Sequence, residues 1–203
     1  MGFYDRHILP HLIDCACGLG QVMKARAQLV PLAHGRVLEI GIGSGLNLAF
    51  YDPEKVNRIV GVDPSAAMQA LARKRAAGIG IAVEMIALEL GQIQAPDSSF
   101  DSIVCTFTLC TIPDAVTALK EMRRVLKPGG QLYFCEHGLA PDAGVRRWQQ
   151  RLTPLWKPLA GGCHLDRDIP ALLLAGGFHV RQLDTGYLPG PRPMTYVYRG
   201  WAD

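Results

Sequence analysis

Val37-Leu38-Glu39-Ile40-Gly41-Ile42-Gly43-Ser44-Gly45 starts as an apolar run, closes on an acid and opens into three glycines at alternate positions. The run suits a buried parallel strand, and the glycines suit a tight turn that lets backbone approach a ligand. Leu46-Asn47-Leu48-Ala49-Phe50 then offers the start of a helix whose first amides would face that ligand. A nucleotide-type cofactor on a doubly wound α/β sheet is the reading this pattern supports. Glycine turns also occur without ligands, so the weight falls on the residues beyond the turn.

About 22 residues past the first glycine, Arg58-Ile59-Val60-Gly61-Val62-Asp63 is a second apolar run closing on a carboxylate, near the offset of a ribose-binding acid. An ionised Asp only accepts hydrogen bonds, which matches a pair of donating ribose hydroxyls. Pro64-Ser65 would equally let Asp63 cap the next helix. Beside the glycine turn the ribose role is the stronger reading.

A chain of 203 residues that is 49% hydrophobic and 19% charged suits one globular domain, 1–203. Its net charge of +3 gives no case for nucleic acid or an anionic membrane surface. Arg73-Lys74-Arg75 and Arg123-Arg124 read as solvated helix faces, and Arg146, Arg147 and Arg151 as one local basic face. No apolar run reaches the roughly 18 residues of a membrane span, and the N-terminus has no signal-peptide pattern. Six Cys show no Cys-x-x-Cys pair, so no zinc or thioredoxin-like motif is expected. Cys105, Cys110 and Cys135 fall in or at the ends of predicted strands, where a reduced Cys behaves as a small hydrophobe. The expected location is cytoplasmic.

Residues 1–35 predict a helical approach, with Ile8, Leu12 and Ile13 on one face and Met23, Ala27 and Val30 on another. Tyr4 and His7 are candidates to close over a cofactor. The core then alternates: strands at 36–41 and 58–63, a helix over 66–77 capped by Ser65, and a strand over 81–87. Further strands are expected at 100–105 and 131–136, separated by a helix over 114–126. Residues 138–165, broken by Pro141, Pro154 and Pro158, suggest an inserted cover segment, with Trp148 and Trp156 forming pocket wall or core. A helix over 167–175 precedes strands at 178–184 and 195–199, expected to pair antiparallel around a Pro-rich loop.

Glu39-x-Gly-x-Gly-x-Gly, Asp63, Ser99-Phe100-Asp101 and Leu126-Lys127-Pro128-Gly129-Gly130 together resemble the class I S-adenosylmethionine-dependent methyltransferases over about 36–137. That resemblance implies a Rossmann-like, doubly wound seven-stranded sheet, mostly parallel with an antiparallel last strand. It implies S-adenosyl-L-methionine as cofactor, with Glu39 and Gly41 at its methionine end, Gly43 and Gly45 lining the turn and Asp63-Pro64 at the ribose. Ala87 and Leu88 would lie by the adenine, although the family usually has an acid at the position of Ala87. Cys105 and Thr106 would lie close to the cofactor. Val104-Cys105-Thr106-Phe107-Thr108-Leu109-Cys110, Phe134-Cys135-Glu136-His137, Trp148-Gln149-Gln150 and Gly162-Cys163-His164-Leu165 further resemble the methyltransferase-like 7 alkyl-thiol S-methyltransferases. Those relatives carry an N-terminal apolar anchor that these residues lack, so membrane attachment is not carried over.

Methyl transfer from a sulfonium is an in-line displacement that needs alignment rather than a metal or a covalent intermediate. A thiol acceptor must ionise, so a base would help, and His137 at the carboxyl edge of the sheet is the candidate. His164 is a second candidate, and Glu136 a residue that could orient a neighbour. The expected acceptor is a small apolar molecule, a thiol first and a lipid amine or quinol next. An arsenic methyltransferase using Cys105, Cys110, Cys135 and Cys163, a NAD-dependent oxidoreductase and a non-catalytic cofactor-binding module are the other readings. The oxidoreductase fingerprint wants its third glycine one residue later, and an acid at Glu39 would repel a pyrophosphate.

Overall fold

The structure is a computed structural model describing residue 4 and residues 8–203 except 87 and 90. Two helices, α1 (Leu9–Cys17) and α2 (Gly20–Leu29), precede strand β1 (Gly35–Ile40). Next come β2 (Val56–Val62), α3 (Ala66–Ala76), β3 (Ala82–Ile86), a two-strand ribbon β4 (Leu88–Glu89) and β5 (Gln92–Ile93), and β6 (Phe100–Thr106). The chain ends with α4 (Ala115–Val125), β7 (Leu126–His137), α5 (Ala143–Leu159), α6 (Ile169–Ala175), β8 (Val180–Tyr187) and β9 (Tyr196–Ala202). Among the described residues no helix is long and apolar enough to cross a membrane. The predicted strand over 81–87 ends inside the described residues at Ile86; Ala87 and His7 lie outside them.

Seven strands form one sheet in the order β3-β2-β1-β6-β7-β9-β8. The first five are parallel, and β9 runs antiparallel to both β7 and β8. Order reverses between β1 and β6, which opens a crevice at the carboxyl ends of the central strands. These strands are buried on both faces: Val37, Leu38, Ile59, Val60, Ile103 and Val104 are all fully covered. That burial explains why they read as continuous apolar runs rather than alternating ones.

Capping follows the sequence. Ser65 accepts from Met68 N at 3.3 Å, Asp114 from Thr117 N at 3.0 Å and Asp168 from Ala171 N at 3.1 Å. Lys127 reaches Asp101 at 2.6 Å while the other oxygen of Asp101 accepts from Arg36 N at 2.8 Å. One carboxylate thus ties together the starts of β1, β6 and β7.

Several expectations are corrected. No helix follows the glycine turn; only a single 3-10 turn forms, Leu48–Phe50. The backbone is already extended at Tyr51 (φ −68°, ψ 136°), whose side chain turns inward to bond Glu39, and Pro53 two residues on disfavours any return to helix at Asp52. On α2 the buried side chains are Ala25, Arg26 and Leu29; of the expected face Val30 at its end is buried and Met23 half-buried, but Ala27 is exposed. Ile8 and Leu12 are exposed. Arg75 and Arg124 are not simply solvated: Arg75 binds Asp14 at 2.9 Å, and Arg124 binds Asp97, Glu121 and the carbonyls of Ile93 and Ala95. Trp148 is exposed rather than part of a wall or core.

The cover segment is one continuous helix that runs through Pro154 and Pro158. Its anchor is Gln149, fully buried, which accepts from Ala140 N at 2.9 Å and donates to Gly138 O at 3.0 Å and Pro193 O at 3.1 Å. Thr153, one turn on, donates to Gln149 O at 2.8 Å with Asp166 Oδ1 also within 3.2 Å, and accepts from Leu165 N at 3.3 Å. These tertiary bonds hold the helix despite two prolines, which outside this setting would break it. Gln149→Leu keeps the volume but strands a buried amide and two carbonyls, and should lower unfolding free energy by about 2 kcal/mol in urea melts.

Candidate active site

A cleft of about 1230 Å³ occupies the crevice at the strand ends. Its floor is the end of β1 with the glycine turn (Ile40 to Ser44) and the end of β2 with Asp63 and Pro64, and the Thr106-Phe107-Thr108 run after β6 closes it. Helix α1 contributes Ile13, Asp14 and Cys17, and α5 with the following turn contributes Pro154, Pro158, Gly161 and Gly162. The lid over the glycine turn is tied down by Arg75, which bonds Asp14 and also donates to Ser44 O at 2.6 Å, while Ser44 donates to Asp14. Tyr4 donates to Leu159 O at 2.8 Å, joining the N-terminal approach to the cover helix.

Gly41, Gly43 and Gly45 all adopt positive φ, at 64°, 56° and 83°. Gly41 and Gly43 line the cleft. Gly45 instead packs on α3, where a Cβ would meet Ala72 Cα at 3.0 Å. Asp63 lines the cleft; its Oδ2 accepts from Gly43 N at 2.9 Å and its Oδ1 from Ser65 N at 2.8 Å. The carboxylate therefore rigidifies the glycine turn and starts α3, and each oxygen keeps a second acceptor position. Burial raises its pKa, against the pull of those two amides. Pro64 and Thr106 also line the cleft.

Glu39 lies behind the turn rather than on the cleft wall, fully buried. It accepts from Tyr51 OH at 2.8 Å and Asn47 Nδ2 at 3.0 Å. Burial pushes its pKa up to about 7, with those two bonds and Arg26 opposing. Arg26 is the residue that sequence reasoning missed. Its guanidinium donates to Asn47 Oδ1 at 2.8 Å and Thr106 Oγ1 at 2.6 Å, sits 5.2 Å from the Phe107 ring centroid, and lines the cleft. Its Nε is buried without a protein partner. Nothing local marks it: an Arg on a mixed helix reads as solvated until the sheet is folded beneath it. Phe107, another missed residue, holds φ 53° at the cleft wall, an uncommon conformation for a bulky side chain.

Cys105, Glu136, His137 and His164 lie outside the cleft lining. Cys105 is buried and donates to Glu136 Oε1 at 3.4 Å; burial holds its thiol well above the ordinary range. Glu136, raised to about 7 by burial, receives Thr108 N on both oxygens at 3.0 Å and so fixes the loop after β6. Leu88 pairs with Ile93 in the small ribbon. His164 Nδ1 lies 3.1 Å from Cys110 O. His137 is buried, its Nδ1 3.9 Å from Cys163 Sγ and its Nε2 without a partner. Of the four cysteines that the arsenic-methyltransferase alternative would bring together, Cys105 and Cys135 stay in the two core clusters, as apolar fillers would, while Cys110 and Cys163 meet beside His137. The neighbouring Cys110 thiol and His137 pull the pKa of Cys163 below the ordinary thiol range, while Cys110 itself is pushed up.

Residues 38–134 match the methyltransferase-domain family Methyltransf_11. Over 136 residues the chain is 38% identical to thiol S-methyltransferase TMT1B of Rattus norvegicus, covering 65% of this chain and 55% of that one. Over 108 residues it is 41% identical to the ubiquinone/menaquinone biosynthesis C-methyltransferase UbiE of Geobacter sulfurreducens, covering 50% and 41%. A solved SAM-dependent methyltransferase from Methanosarcina mazei superposes with a TM-score of 0.64 at 25% identity, covering 82% of this chain and 91% of that one. Residues 38–134 thus carry a methyltransferase domain, and in sequence and fold the chain is similar to S-adenosylmethionine-dependent methyltransferases. Within that class it is similar to the thiol S-methyltransferases, and it spans about half the length of those curated relatives.

Proposed function

We propose that the cleft binds S-adenosylmethionine and that the chain transfers its methyl group to a small apolar acceptor, a thiol in the first instance. The observation that carries the reading is the junction at Asp63. A carboxylate at the end of β2 is held by the glycine turn's own amide and still offers acceptor positions to the cleft. In this reading the ribose hydroxyls donate to Asp63, and the cofactor's carboxylate meets Arg26. The negative field of Glu39, behind Gly41, favours the ammonium and sulfonium. The apolar remainder of the lining, including Ile13, Pro154 and Pro158, excludes water and shapes a pocket for an apolar acceptor. Thiol chemistry is supported by the similarity to proteins named thiol S-methyltransferases.

Asp63→Ala tests the cofactor half. Loss of a charge-assisted contact should weaken S-adenosylmethionine binding by about 1.5–3 kcal/mol in calorimetric titrations. Unchanged affinity would sink the ribose assignment. The acceptor half is tested by following thioether formation from S-adenosylmethionine with a short alkyl thiol, against an amine and a quinol of similar size. Turnover of the quinol alone would move the reading to the C-methyltransferase side of the family.

A further inference from the structure

Three segments far apart in sequence bring Cys110, His137 and Cys163 together behind the cleft wall formed by Thr111, Gly161 and Gly162. Cys110 follows β6, His137 is the last residue of β7, and Cys163 closes the loop after α5. The two sulfurs and one imidazole nitrogen lie within 4.8 Å of one another. We propose that these three side chains bind a borderline-soft divalent cation, with Zn2+ as the type, that clips the cover segment to the end of the sheet.

The donor set is the first argument. Two thiols and an imidazole select Zn2+ over hard oxygen-seeking ions such as Mg2+ or Ca2+. Spacing is the second. Tetrahedral coordination with Zn–S near 2.3 Å and Zn–N near 2.05 Å sets sulfur and nitrogen about 3.6 Å apart and two sulfurs about 3.8 Å apart. The Cys163 Sγ to His137 Nδ1 separation is already 3.9 Å, a few tenths of an ångström from the sulfur–nitrogen value, and with every pair within 4.8 Å the Cys110 side chain needs to close by no more than about 1 Å.

Preorganisation is the third. His164 N donates to Cys110 O at 2.9 Å and Cys163 N to Ala160 O at 3.1 Å, so backbone bonds set the two cysteines side by side without the ion. Gly161 and Gly162, at φ 60° and 89°, make the turn that presents Cys163, and a Cβ at Gly162 would press on Thr111 O at 3.3 Å. The fourth argument is the imidazole itself. It is buried, Nε2 has no partner and Nδ1 faces only a sulfur, so neither nitrogen is committed to an oxygen acceptor. A buried polar ring left this way calls for an explanation, and a cation supplies one.

Cysteine spacing gave no hint of this, because the ligands come from a strand end and two loops far apart in sequence rather than from paired Cys-x-x-Cys knuckles. Three protein donors leave one coordination position to water or an added ligand. The site does not depend on which acceptor the enzyme methylates.

The test uses the whole chain, purified under reducing conditions in metal-free buffer. Zn2+ is titrated in competition with a chromophoric chelator, and Co2+ is added separately as a spectroscopic probe. Expected are one Zn2+ per chain, the intense visible bands of tetrahedral Co2+ with near-ultraviolet thiolate charge transfer, and a Zn2+-dependent rise in Tm. Cys163→Ser, in a partly exposed loop, should weaken Zn2+ at least 10-fold and abolish the rise in Tm; Cys110→Ser should do the same. Circular dichroism and S-adenosylmethionine calorimetry on each variant report folding and the cofactor site independently. Folded wild-type protein that takes up no Zn2+, an octahedral Co2+ spectrum, or uptake unchanged in both variants would each overturn the proposal. Failure of S-adenosylmethionine to bind would instead count against the methyltransferase reading alone.

Discussion

Gly41→Ala should cost about 3 kcal/mol of stability and lower S-adenosylmethionine affinity more than about 10-fold, because two penalties fall on one atom. Gly41 sits at φ 64°, where any Cβ is disfavoured by roughly 1–2 kcal/mol. The same Cβ would overlap the Thr108 hydroxyl and methyl. Thr108 cannot swing aside freely. Its amide is held by both oxygens of Glu136 at 3.0 Å, and its hydroxyl donates to Thr106 O at 3.1 Å. The overlap must therefore be relieved by moving the glycine turn away from β6, which displaces the amide that bonds Asp63.

Gly43 provides the contrast within the same turn. A Cβ there would meet nothing nearer than Met68 Cε at 3.6 Å, so Gly43→Ala should cost only the backbone part. Adding Thr108→Ala to Gly41→Ala should recover part of the lost stability, since the hydroxyl and methyl that collide are gone. Urea unfolding of the four proteins forms a cycle in which the coupling between positions 41 and 108 is read directly. No coupling, together with an unchanged midpoint for Gly41→Ala, would remove the close-approach argument.

The sheet was legible because each central strand is buried on both faces and bounded by turn residues, as Val37 to Ile40 and Ile103 to Cys105 show. Asp63, Gly41 and Gly43 were legible because a cofactor turn needs its residues close together in sequence. What local patterns could not supply was set by distant partners. Asn47 and Tyr51 stand where a helix should continue, yet both side chains are taken by Glu39, eight and twelve residues upstream. Arg26 acquires its role only when Thr106, 80 residues away, arrives beside it. Helix α5 passes two prolines because Gln149 is gripped by Gly138 and Pro193. The meeting of Cys110, His137 and Cys163 has the same character: a strand end and two loops converge because the sheet order puts them there.

Glu39 carries the second large effect. Its carboxyl is surrounded by Tyr51 and Asn47 as donors, by Arg26 as the nearest cation and by Asp63 as a second acid. Burial outweighs these and raises its pKa to about 7, whereas an unfolded glutamate ionises near 4.5. Between those values the folded chain holds a proton that the unfolded chain has released. Stability contributed by this group is thus greatest below about pH 4.5 and falls as pH climbs to 7, by about 3 kcal/mol across the window. Glu39→Gln preserves an acceptor for Tyr51 and cannot ionise. The variant should lose less stability than wild type between pH 5 and 7.5, and the difference between the two urea-unfolding profiles should grow steadily with pH. Glu136 also titrates near 7 and adds the same downward slope to both proteins, so it cancels in the difference. If S-adenosylmethionine places its ammonium within the field of Glu39, binding should draw the proton off. Wild-type affinity should then rise from pH 6 to 8 while that of Glu39→Gln stays flat. Parallel stability profiles for the two proteins would show that Glu39 is ionised throughout, and would return the acid to a purely structural role as acceptor for Tyr51 and Asn47.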